Sequence, residues 1–124
     1  MAAAGAAPDP VDRVLKRIAA KADGWLPTFE PDDTGAELVG RFGEYCREIG
    51  RDPATVPIEA LLAPSIHPDP VGHCQAWQKL GAVQMCANMA GPGVDGVDAN
   101  LRRLAELRDG LATAGLWTAR EDAA

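Results

Sequence analysis

Two histidines, three cysteines, Thr28, Asn88 and a pair of loop glycines hold the chemistry that this sequence could offer beyond ordinary surface charge. His67 is the acid–base candidate, since an unperturbed imidazole titrates near ~6.5. It stands between Ile66 and Pro68, with no carboxylate or nucleophile at a spacing that would pair with it. The expectation is therefore a surface histidine in an exposed loop, with His73 facing outward on a helix. Cys46, Cys74 and Cys86 are odd in number, widely spaced and without a CxxC pair. That pattern gives neither a disulfide framework nor a zinc site, and it points to free thiols in a reducing compartment. Thr28 either donates a hydrogen bond to a bound molecule or caps a turn. Gly91 and Gly93, in a Gly-Pro-Gly stretch, either let the backbone approach an anion or a ring closely or make an ordinary turn. The sequence has no Ser-His-Asp set, no metal-ligand cluster and no glycine motif of the P-loop or dinucleotide type.

The elements that must position these groups follow from periodicity. Asp9-Pro10 reads as an N-cap followed by proline in the first turn. Val11, Val14, Leu15, Ile18, Ala19 and Ala22 then share one helix face, opposite Arg13, Lys16, Arg17 and Lys21. Asp23-Gly24 is expected to stop this helix through a left-handed glycine. Trp25-Leu26, closed by Pro27, suits a short buried strand. A second helix carries Leu38, Val39, Phe42, Tyr45, Cys46 and Ile49 and ends at Gly50. A second strand is expected over residues 58–63, with Glu59 unusual inside its apolar run. Asp69-Pro70 opens a third helix, which closes at Leu80-Gly81. Residues 82–89 alternate as a strand with two environments would. A last helix is expected from about Asp98 to Leu111. Residues 1–9 are expected to be a flexible start, and 112–124 a tail. The order is α-β-α-β-α-β-α, which implies parallel pairing and right-handed crossovers.

The 124 residues, 47% of them apolar, fit one domain. Aromatics are only 5%, so aliphatic side chains and alanine must fill the core. A net charge of −6 argues against a nucleic-acid or anionic-membrane partner, because both attract basic surfaces. No apolar run approaches the ~20 residues of a membrane span, and the start lacks the basic and leucine-rich regions of a secretory signal. A cytoplasmic protein is expected.

Three stretches carry a resemblance: Arg17-Ile-Ala-Ala-Lys-Ala-Asp23-Gly24-Trp25-Leu26-Pro27, then Gly50-Arg51-Asp52-Pro53-Ala54 before a strand, then Trp77-Gln-Lys-Leu80-Gly81-Ala82 before a strand ending near Asn88. In this order, over about Asp9 to Leu111, the chain resembles the C-terminal part of the bacterial luciferase-like monooxygenases. Those are flavin- or deazaflavin-dependent oxidoreductases on a (β/α)8 TIM barrel. The resemblance implies an α/β fold holding the last three β/α units of such a barrel, an incomplete barrel whose first five strands are absent. It implies strands at 25–27, 58–63 and 83–88, adjacent in that order. It implies FMN or a deazaflavin as cofactor and a small organic substrate. Thr28, Asn88, Gly91 and Gly93 are then the cofactor-side positions, with no catalytic residue assigned, because the redox chemistry belongs to the flavin. Asn88 would hydrogen-bond a flavin ring edge or satisfy loop backbone. Self-association, or pairing with a missing barrel half, is the expected partnership. The alternative is a non-catalytic truncated barrel that dimerises or binds a ligand.

Overall fold

The computed structural model describes residues 10–91 and 96–117. The expected flexible start, the Asp9 cap, Gly93 and the last seven residues of the expected tail lie outside them. Among the described residues the elements are α1 (Pro10–Lys21), α2 (Asp33–Glu48), a 3-10 turn (Pro53–Thr55), β1 (Ile58–Leu62), α3 (Pro70–Lys79), β2 (Ala82–Ala87) and α4 (Gly96–Thr113). The chain forms two compact units, divided between Ile58 and Glu59.

In the first unit α1 packs on α2. α1 buries Leu15 and Ala19, and α2 buries Phe42 and Cys46. Trp25 joins them, its ring 4.6 Å from that of Phe42 and 5.7 Å from that of Phe29. Asp32 starts α2 by accepting from the Gly35 N–H at 2.8 Å, one of the donors a helix N-terminus leaves unpaired. Gly50 adopts φ +75° after the end of α2, as its place in the sequence predicts.

The end of α1 differs from expectation. Gly24 is absent from the left-handed glycines. Arg51 supplies the stop instead. Its guanidinium donates to Ala19 O at 2.9 Å and to Ala22 O at 2.6 Å, satisfying carbonyls that the helix itself leaves unpaired.

In the second unit β1 and β2 form a two-stranded sheet with parallel strands. Their connection is α3, opened by Asp69, which accepts from the Gly72 N–H at 3.0 Å with Pro70 in the first turn. α3 packs on β2 and on α4. Ala60, Leu62, Cys74 and Trp77 are buried here.

The expected three-stranded sector of a TIM barrel is therefore corrected. The sheet has two strands, and the three β/α units are not formed. Trp25 makes only an isolated parallel bridge to Ile58, with its N–H donating to Pro57 O at 2.9 Å. The reason lies in the next two residues. Pro27 has no N–H to extend a ladder, and Leu26 is half exposed rather than packed. Trp25 marks a buried contact, not a strand.

Candidate functional site

A groove of about 540 Å³ lies in the first unit. One wall is the apolar face of α1, with Val11, Val14, Leu15 and Ile18. The other is the extended segment Trp25 to Phe29, with Leu38 of α2 beside it. The same 3.6-residue periodicity that buries Leu15 and Ala19 leaves Val11 and Val14 exposed at the rim, with Leu26 exposed beyond them. None of the lining side chains titrates. Thr28 supplies the hydroxyl among them, exposed to solvent. The arrangement can hold an apolar or planar molecule and orient it by one hydrogen bond, but it cannot move a proton.

Between α1 and α2, Asp12 accepts from the Tyr45 hydroxyl at 2.8 Å and from Arg41 Nη1 at 3.0 Å. Arg41 Nη2 also donates to Glu37 at 2.8 Å, and Lys16 Nζ lies 5.1 Å from the centre of the Tyr45 ring. The hydroxyl first, and the guanidinium second, hold the Asp12 carboxyl below its ordinary value. The same hydrogen bond raises Tyr45. These groups staple two helices and satisfy one another, so the cluster reads as structural.

Two expected site residues fall together in the second unit. Asn88 follows β2, and its side-chain oxygen accepts from the Ala90 N–H at 3.1 Å. Ser65 Oγ donates to Ala90 O at 3.1 Å. Gly91 has φ +135°, and a Cβ there would collide with the Ser65 side chain. The Asn88 side chain is thus bonded to loop backbone, and Gly91 is needed for the turn against Ser65. Thr28 belongs to the first unit.

The histidines depart from expectation. Both are half-buried. Their rings stack at 3.7 Å between centroids and 22° between planes. His67 Nδ1 accepts from the Ala63 N–H at 2.9 Å, and His73 Nε2 donates to Leu61 O at 2.9 Å. Each ring thus closes the main chain around β1. The six-residue spacing alone gives no sign of this, because a loop and a helix start intervene. His67 also lines a small cavity of about 280 Å³ with Arg103 and Glu106, and Arg103 donates there to Pro64 O at 3.0 Å. Cys46 and Cys74 are buried free thiols, and burial pushes both above the ordinary thiol range. Neither suits a nucleophile, which must be a thiolate. Cys86 is exposed.

Comparison of the chain with protein-family models, with curated proteins and with solved structures finds no match. Among the described residues, no helix is long and apolar enough to cross a membrane.

Proposed function

We propose that the chain is a ligand-binding part of a flavin- or deazaflavin-dependent oxidoreductase of the luciferase-like class, and that its own side chains complete no redox centre. The observation that carries this reading is the groove between α1 and the Trp25–Phe29 segment: about 540 Å³, apolar, with the Thr28 hydroxyl on its lining. Small-molecule sites are typically ~300–1,000 Å³, mostly apolar, with a few polar groups that fix orientation. The ring system of FMN or a deazaflavin matches that chemistry, with its charged tail left in water. A small organic substrate is the other molecule the reading requires. The resemblance of the Arg17–Pro27, Gly50–Ala54 and Trp77–Ala82 stretches supports the class of ligand. Buried reduced thiols at Cys46 and Cys74 support a cytoplasmic location.

An open groove covers a ring on one side only, so binding is weak, and no turnover is expected. The test is a titration of the full chain into FMN and into a deazaflavin, followed by the fluorescence of each cofactor. Saturable binding with a dissociation constant of about 0.1 mM is expected. Val14→Asp, at a rim position already 51% exposed, places a charge in the groove without disturbing the core and should weaken binding by roughly tenfold. Absence of saturation at ~1 mM cofactor, or saturation indifferent to Val14→Asp, overturns the reading.

A further inference from the structure

The cavity of about 280 Å³ lies wholly within the second unit, between α4 and the start of α3. Pro68, Pro70 and Val71 line one side, and Arg103, Glu106 and Leu107 the other. Residues three and four apart share a helix face, so α4 brings its two charged groups and its leucine to the same recess. The Arg103 guanidinium is half-buried and donates to Pro64 O at 3.0 Å. A guanidinium carries several N–H donors, so this one bond holds the side chain in place and leaves the others for a further acceptor. Among the described residues, Arg103 and Glu106 form an ion pair neither with each other nor with another group. Two opposite charges thus border one mainly apolar space without neutralising each other.

Gly110 keeps that space open. It lies within α4 and has no positive φ, so the backbone does not require glycine there. A Cβ at this position would meet Val71 Cγ2 at 3.5 Å, an ordinary contact, so packing does not require it either. Glycine weakens a helix relative to alanine. What its missing side chain provides is room in the cavity that it lines.

We propose that this cavity binds a free α-amino acid with a small apolar side chain. Its carboxylate lies on Arg103, its ammonium on Glu106, and its side chain against Pro68, Val71 and Leu107. The planar fork of a guanidinium matches a carboxylate with two parallel hydrogen bonds. Glu106 decides the class of ligand: it repels a bare carboxylate, and Arg103 repels a bare amine, whereas a zwitterion satisfies both. The volume falls just below the usual ~300–1,000 Å³ of sites for drug-sized ligands, which suits a molecule much smaller than a flavin ring. Proline walls are stiff, so little order has to be gained on binding. His67 completes the lining, its ring fixed by the bond from the Ala63 N–H to Nδ1. The proposal stands independently of the flavin reading, since it uses none of the groove beside α1.

The experiment is isothermal titration calorimetry of the full chain with L-valine, N-acetyl-L-valine and L-valinamide. L-valine should bind with a dissociation constant of ~1 mM or lower. Each capped form lacks one of the two charges and should bind ~tenfold or more weakly. Glu106→Gln, at an exposed side chain, should weaken L-valine by ~tenfold and narrow its advantage over N-acetyl-L-valine. Arg103→Gln should do the same for the advantage over L-valinamide. Gly110→Leu should fill the cavity and abolish binding, while Gly110→Ala retains it. Melting curves of the variants confirm that each is folded. No saturation by L-valine at ~10 mM, equal binding of L-valine and N-acetyl-L-valine, or binding that survives Gly110→Leu overturns the proposal.

Discussion

β1 and β2 are neighbours in one sheet, yet they live in different solvents. In β1, Ile58, Ala60 and Leu62 are buried and the residues between them half-buried. In β2 the pattern has no buried position, and Val83, Gln84, Cys86 and Ala87 are exposed. Both strands are short and mainly apolar, and both read as strands from the sequence. Alternation specifies a strand and its two faces but says nothing about whether either face is covered. Coverage is a property of what else packs there.

The largest test of that contrast is a truncation in each strand. Leu62→Ala, at a residue 1% exposed, should cost about 2–5 kcal/mol, through lost burial and the cavity left behind. Val83→Ala should stay within about 0.5 kcal/mol, as exposed substitutions do. Urea denaturation of the two variants measures both, at a concentration where the chain is monomeric. Equal costs would mean that β2 is covered in solution.

A smaller effect is expected where β2 leaves the sheet. Gly91→Ala forces a side chain into a left-handed conformation and against Ser65, and should cost about 1–3 kcal/mol. Gly91→Ala combined with Ser65→Gly relieves the collision but not the backbone strain. It should recover part of the loss in the same denaturation assay.

The smallest effect separates the sheet from the helix pair. Tyr45 and Arg41 hold Asp12 below its ordinary value, so its contribution is fully present above the unfolded carboxylate pKa of ~3.9. It is lost as pH falls through the lower folded value. Between about pH 4 and pH 2, Asp12→Asn should flatten the acid side of the stability profile. Thermal melts of the wild-type chain and the variant across that range check it. Tyr45 has the opposite sense. Its raised value makes its contribution complete below the unfolded pKa of ~10, and lost as pH climbs through the folded one.

Local chemistry in the sequence was legible, and long-range satisfaction was not. The Asp69-Pro70 start of α3, the left-handed Gly50 and Gly81, and the apolar faces of α1 and α2 follow from residues within one turn of each other. The strand expected at Trp25-Leu26 shrank to one bridge, because two apolar residues before a proline make a contact and not a ladder. The sequence points to Gly24 for the last turn of α1, while its carbonyls are met by Arg51, 29 residues beyond Ala22. In sequence His67 and His73 look like surface groups, because nothing there places one ring on the other. Of the positions expected to face a cofactor, Thr28 lines an apolar groove, Asn88 bonds loop backbone and Gly91 packs against Ser65.

The Arg51 cap also sets an order of events. A helix of 12 residues is marginal in isolation, since nucleation is costly and each added residue returns little. The C-terminal turn of α1 has its stop in a residue that lies beyond α2 and the turn at Gly50. That turn should therefore consolidate on the native side of the folding barrier, while the α2 cap at Asp32, made three residues away, is available from the outset. A change at Arg51 would then speed unfolding and leave the folding rate nearly untouched.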